Sequence, residues 1–172
     1  LDTPTAGSIH IAGTDVAGMS RAQAADFRLQ HIGFVFQAYN LLPVLTAYEN
    51  AEYTLLLRGV EKAERAALVE PLLHQVGLGD MMNRRPHELS GGQQQRVAVV
   101  RAIAAKPAFV LADEPTANLD SETSSALLDL MATLNKEHGI SFIFASHDPL
   151  VVERATRVIR LLDGRVVEDE RL

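Results

Sequence analysis

The chain has 172 residues, 47% hydrophobic and 22% charged, with a formal net charge of −6. That length supports one domain with a real core, and the acidic balance argues against nonspecific nucleic-acid binding. The absence of cysteine excludes a disulfide framework, a zinc–thiolate site and a thiol nucleophile. No apolar run is long enough to span a bilayer, and the first residues do not read as a signal peptide.

In chain order, Ser8-Ile9-His10-Ile11 reads as a short strand followed by a turn at Gly13-Thr14-Asp15. Ser20-Arg21-Ala22-Gln23 fits a capping box for a helix running to about Leu29. Ile32-Gly33-Phe34-Val35-Phe36 is a compact apolar strand ending in Gln37, and Asn40-Leu41-Leu42-Pro43 is a loop. Thr46-Ala47-Tyr48-Glu49 is a second capping box, opening a helix that Gly59 ends. A further helical pattern runs from Glu61 to Val76, with a kink or break expected at Pro71. Residues 46 to 89 thus read as a small helical subdomain, between α/β core portions at 1–37 and 90–172.

The stretch Leu89-Ser90-Gly91-Gly92-Gln93-Gln94-Gln95-Arg96 opens the next helix, which Pro107 stops. The first backbone N–H groups of a helix lack internal partners, and the helix dipole adds positive potential there. Ser90 can cap this helix, and Gly91 and Gly92, without Cβ atoms, would let a phosphate approach the backbone. Ala108-Phe109-Val110-Leu111-Ala112 suits a central parallel strand buried on both faces. It ends in Asp113-Glu114-Pro115-Thr116. Asp120 and Ser121 offer N-caps to a helix that Gly139 ends, and Ser141-Phe142-Ile143-Phe144-Ala145 is the next strand, closed by Ser146-His147-Asp148. This is a β-α-β unit with parallel strands. A short helix from Pro149 and a hairpin about Asp163-Gly164 complete the chain.

Two consecutive carboxylates at the end of an apolar strand repel one another, and a bound metal with a polarised water makes the pair worthwhile. Asp113 is placed to hold Mg²⁺, directly or through water, and Glu114 to orient or deprotonate a water attacking a γ-phosphate. Gln37 and His147 close two further strands. Three strand ends at one sheet edge form the usual ligand edge of an open α/β sheet.

Together these motifs resemble the nucleotide-binding domain of ATP-binding cassette (ABC) proteins, in the family's order and over essentially the whole chain. Leu89-Ser90-Gly91-Gly92-Gln93 is similar to the family signature and Val110 to Pro115 to the Walker B strand with its catalytic glutamate. Ala117-Asn118-Leu119-Asp120 resembles the D-loop, Phe36-Gln37 the Q-loop and Ser146-His147-Asp148 the switch-histidine motif. The resemblance implies a P-loop NTPase-like α/β fold: a parallel sheet core flanked by helices, a helical subdomain and a small antiparallel β portion.

For mechanism, the resemblance implies two cassettes facing head to tail with ATP between them. Ser90, Gly91, Gly92 and Gln93 would contact ATP in trans. Asp113 and Gln37 would serve Mg²⁺, Glu114 and His147 would be catalytic, and Asp120 would link the two sites. The implied partners are a second nucleotide-binding domain and integral membrane permease subunits, with no nucleic acid. The implied location is cytoplasmic, peripheral on the inner face of the cell membrane. One family motif is missing: the sequence holds no G-x-x-x-x-G-K-[ST] phosphate loop. Leu1 to Gly7 is similar to the segment that follows that loop, so an N-terminal truncation is expected, and with it doubt over whether these residues bind ATP unaided. Tyr39 to Pro43, Arg85 to Glu88 and the triple glutamine look like the lipoprotein-release and macrolide-export type. Residues Tyr39 to Leu45 either receive a coupling helix or pack the helical subdomain. The alternative function is a non-transport ABC ATPase acting in translation or DNA repair. The compact gap between Gln37 and Leu89 and the single cassette argue against it.

Overall fold

The computed structural model describes residues 4–172; Leu1, Asp2 and Thr3, the start of the segment expected to follow a phosphate loop, lie outside them. Strands β1 (His10–Ile11) and β2 (Thr14–Asp15) form a minimal antiparallel hairpin. Its turn falls on Ala12 and Gly13, with φ of 49° and 79°. That is earlier than the expected turn, because a two-residue hairpin loop of this kind needs two successive left-handed residues. Helix α1 (Arg21–His31) starts from the Ser20–Gln23 capping box and leads directly into β3 (Ile32–Phe36).

Helix α2 (Ala47–Leu57) opens from the Thr46–Glu49 capping box. Helix α3 (Lys62–Gln75) runs through Pro71 without a break. Proline removes one backbone donor, which would orphan the carbonyl four residues earlier. Here Ala67 and Pro71 are both exposed, so water can take that carbonyl. Two single turns, Gly79–Met81 and Pro86–Glu88, lead to α4 (Gly91–Ile103). There follow β4 (Phe109–Asp113), α5 (Ser121–His138), β5 (Ser141–Ala145), α6 (Pro149–Arg154) and the hairpin β6 (Arg157–Leu162) with β7 (Arg165–Arg171).

Strands β3, β4 and β5 form a parallel sheet in that order. One face is packed: Val35, Val110 and Ala112 are buried together with Val97, Val99, Val100 and Ile103 of α4 and Leu127, Met131 and Leu134 of α5. Helix α4 lies so close to β3 that a Cβ on Gly33 would sit 2.6 Å from the Ala102 carbonyl oxygen. The other face carries Phe34 stacked on Phe36 at 5.8 Å, with Ile143 about half exposed.

The same apolar cluster takes in Ala47, Ala51 and Leu55 of α2 and Val69 and Leu73 of α3. Polar ties reinforce it. Arg58 donates to the carbonyls of Leu29, Gln30 and Ala105, joining the end of α2 to the ends of α1 and α4. Fully buried Asn50 accepts from the Leu42 N–H and donates to the carbonyls of Leu42, Leu45 and Thr46. One side chain thereby replaces water for a whole loop of backbone.

Candidate active site

Register builds the site. Phe36 pairs with Asp113 and Asp113 with Ala145, so the three parallel strands end flush. The next residues on each strand are Gln37, Glu114 and Ser146-His147, all emerging at one edge. Parallel strands have no tight turns between them, so their carboxyl ends stay open for ligands.

Glu114 is the centre of this edge. Its φ is 44°, in the left-handed region that non-glycine residues rarely adopt. Strain of this kind persists only where surrounding bonds over-determine it, and here they do. The Glu114 N–H donates to the Ala145 carbonyl at 2.9 Å, the Ser146 hydroxyl donates to Oε2 at 2.9 Å, and His147 Nδ1 donates to Oε1 at 2.6 Å. Burial by itself would push the Glu114 carboxyl up. Hydrogen bonds from His147 and Ser146 and the charge of His147 outweigh it and hold the carboxyl below its ordinary value. The two side chains differ sharply in exposure, 90% for His147 against 24% for Glu114. With Nδ1 facing inward to the carboxylate, the other ring nitrogen of His147 is left toward solvent.

Ser146 is fixed in turn. Its oxygen accepts from the Asp148 N–H at 3.2 Å, and the Asp148 carboxylate accepts from the hydroxyl of buried Thr116 at 2.7 Å. A polar chain thus runs from Glu114 to the loop that follows it. Asp113 is exposed at the strand end. Gln37 is held by its backbone, its carbonyl accepting from Asn118 Nδ2 at 2.9 Å. Asp120 caps α5, accepting from the Thr123 N–H at 2.9 Å and the Thr123 hydroxyl at 2.8 Å. These bonds hold its carboxyl below the usual range. Ser121, also considered as a cap, is the first helical residue.

The Ser90–Gln93 stretch forms the N-terminus of α4. Ser90 and Gln93 satisfy each other: Gln93 N–H donates to the Ser90 hydroxyl at 3.3 Å, and the Ser90 N–H to Gln93 Oε1 at 2.9 Å. The N–H groups of Gly91 and Gly92 meet no acceptor among the described residues, so they are the donors left for an anion. No hydrogen bond among the described residues joins these four residues to Asp113, Glu114 or His147. Glu114 and His147 meet at this edge, Asp113 and Gln37 emerge beside them, and among the described residues the signature-like stretch is bonded to none of the four.

Several residues that tie the site together carry no motif. Gln95, fully buried, donates through Nε2 to the carbonyls of Pro115 at 2.7 Å and Phe36 at 3.4 Å, while its Oε1 is without a partner. The helical phase contained the signal: Gln95, Ala98, Val99 and Ala102 share one buried face. Arg101 donates to the carbonyls of Asn40 and Tyr39 at 2.6 and 2.8 Å, securing two successive left-handed residues, with φ of 49° and 59°.

Asp113 and the Gln37 amide offer hard oxygen donors of the kind Mg²⁺ accepts. No group of three or more His, Cys, Asp or Glu side chains able to hold a metal occurs among the described residues. No helix among the described residues is long and apolar enough to cross a membrane.

Comparison with known proteins matches residues 1–117 to the ABC transporter family. The chain is 45% identical to the lipoprotein-releasing system ATP-binding protein LolD of Anaeromyxobacter dehalogenans, over 98% of this chain and 71% of that protein. It is 44% identical to the macrolide export ATP-binding/permease protein MacB of Rhodopirellula baltica, over 99% of this chain and 25% of that one. Among solved structures it superposes on the dimeric, ADP- and phosphate-bound ATP-binding cassette MJ0796, with a TM-score of 0.85 and 38% identity over 99% of this chain and 75% of that one. A translation or repair role is not favoured by these relatives. The chain belongs to the ABC transporter family and is an ATP-binding cassette, the ATPase unit of a transporter.

Proposed function

We propose that this cassette powers export or lipoprotein release by ATP-driven closure of a head-to-tail dimer against integral membrane permease subunits, on the cytoplasmic face of the membrane. LolD-like and MacB-like relatives support this subgroup. Residues 46–89 act as a helical subdomain against core portions 1–37 and 90–172. Within the dimer, Ser90, Gly91, Gly92 and Gln93 present the N-terminus of α4 to ATP held by the opposing cassette. Asp120 links the two sites.

The observation that supports the catalytic assignment best is the flush strand register with its Glu114–His147 bond of 2.6 Å. A carboxylate held below its ordinary pKa remains ionised at neutral pH but is a weak proton acceptor. Glu114 therefore serves chiefly to orient the attacking water. Phosphoryl transfer through a loose transition state asks for positioning more than for a strong base. Each of its oxygens keeps a second lone pair for that water. His147, tethered through Nδ1, directs its outer nitrogen at a γ-phosphate oxygen. Asp113 and Gln37 would hold Mg²⁺, which would neutralise charge on the phosphates when bound.

Glu114→Gln in the whole protein tests this. The expected outcome is loss of turnover with ATP-bound dimers retained on size-exclusion chromatography. Hydrolysis at the wild-type rate would overturn the assignment.

A further inference from the structure

Glycine at the start of a helix needs a reason, since each costs up to about 1 kcal/mol relative to alanine within a helix. Neither Gly91 nor Gly92 has a positive φ, so backbone conformation does not demand them. The direction in which their missing side chains would point supplies the reason. A Cβ on Gly91 would lie 2.8 Å from the Tyr39 hydroxyl oxygen, with Leu119 Cδ2 next at 3.6 Å. On Gly92 it would lie 2.5 Å from Thr123 Cγ2, with Thr123 Cβ next at 3.9 Å. Both bare α-carbons face this chain's own elements.

Those elements are the two that carry Gln37 and Asp120. Tyr39 follows Gln37 by two residues, and its left-handed backbone is clamped by half-buried Arg101. Thr123 is the residue whose N–H and hydroxyl hold the Asp120 carboxylate. Arg101 fixes the backbone from which the Tyr39 ring projects, so clearing Gly91 means turning that ring about its own side-chain bonds, and rotating Thr123 breaks its bond to Asp120.

We propose that Tyr39 and Thr123 are positioning residues, which seat the N-terminus of α4 through close contact with Gly91 and Gly92. A displacement at Gln37 or Asp120 is thereby passed to the surface offered to the opposing ATP. The two glycines are bare to admit these side chains, and ligand access comes from the outward N–H groups. This rests on the reading of Ser90–Gln93 as a trans ATP surface.

Two compensation cycles on the whole protein test it, reading steady-state ATP turnover and the thermal midpoint. Gly91→Ala is expected to lower turnover by about tenfold or more, since displacements of about 1 Å in a site cost up to about a hundredfold. Adding Tyr39→Phe recovers most of that loss, because the nearest remaining atom is then Leu119 Cδ2 at 3.6 Å. Gly92→Ala behaves likewise and is recovered by Thr123→Ser, which deletes Cγ2 and keeps the hydroxyl for Asp120. The crossed pairs, Gly91→Ala with Thr123→Ser and Gly92→Ala with Tyr39→Phe, give no recovery. A thermal midpoint that recovers while turnover does not would overturn the proposal, since the glycines would then be bare for the ligand. Recovery of neither, or recovery in the crossed pairs, also overturns it. Failure of the underlying reading looks different: Ser90→Ala, Gly91→Ala and Gly92→Ala would all turn over ATP at the wild-type rate.

Discussion

The sheet edge and the N-terminus of α4, the two regions proposed to meet ATP, are built on different principles. At the edge, the ends of β4 and β5 bring Glu114 into direct contact with Ser146 and His147, and the strained backbone at Glu114 is held by these bonds and by its own N–H to the Ala145 carbonyl. At the helix, Ser90 and Gln93 cap each other, the free donors are backbone N–H groups, and the inner side is packed against Tyr39 and Thr123. The first region holds charge and protons in place. The second holds a shape. A site that performs chemistry needs its groups to meet. A site that receives a ligand bound elsewhere needs to be aimed, and close packing against neighbouring loops aims it.

The largest effect expected from breaking this contrast is at the edge. Glu114→Gln keeps the shape and removes the charge, and turnover should fall by about a hundredfold or more, the order expected when a reacting group is no longer held in place. Single-turnover hydrolysis measures this. Gln95 joins the two regions, so its removal should loosen both. Gln95→Leu leaves the Pro115 carbonyl buried without its donor, while the Phe36 carbonyl keeps the Tyr39 N–H, and should destabilise the fold by about 2 kcal/mol. Chemical denaturation checks that figure, and an unchanged midpoint would show the amide to be idle.

Smaller effects sharpen the comparison. Ser90→Ala removes a helix cap and should lower stability by about 1 kcal/mol, again read by denaturation. Ser146→Ala removes a donor to Glu114 and an acceptor for the Asp148 N–H, and its effect on Glu114 is read from the titration. The folded pKa of Glu114 lies below its unfolded value, so its contribution to stability is present above the ordinary carboxylate range and is lost as pH falls through the folded value. Removing the Ser146 donor raises the folded value, so the acid loss should be smaller and should be complete at higher pH. An NMR titration of the Glu114 carboxyl follows this directly.

Much of this was legible in the sequence wherever the determinant is local. The capping boxes at Ser20 and Thr46 and the cap at Ser90 form as written. The three apolar runs are strands because their lengths and flanks allow little else. Their shared edge followed from the residues that end them. Long-range polar ties were not legible. Arg58 reaches back to Leu29 and Gln30, Arg101 to Tyr39 and Asn40, and Asn118 to Gln37. Each is a side chain satisfying a distant carbonyl, which no periodicity records. The left-handed φ of Glu114 was equally hidden, since it is imposed by the adjacent strand. Pro71 does not break its helix, because the consequence of a lost hydrogen bond depends on exposure and Ala67 faces solvent.

The central claim is that the two regions of one chain belong to different ATP sites of a head-to-tail dimer. Mixing tests it most directly. Whole protein carrying Glu114→Gln and whole protein carrying Ser90→Arg are each expected to be inactive as homodimers. In a head-to-tail heterodimer both lesions fall on one site and the other site is intact. An equimolar mixture, exchanged to equilibrium, should therefore regain about a quarter of wild-type turnover, one intact site in each of the half of dimers that are mixed. A mixture as inactive as its parents would contradict the account and place both regions at the same site.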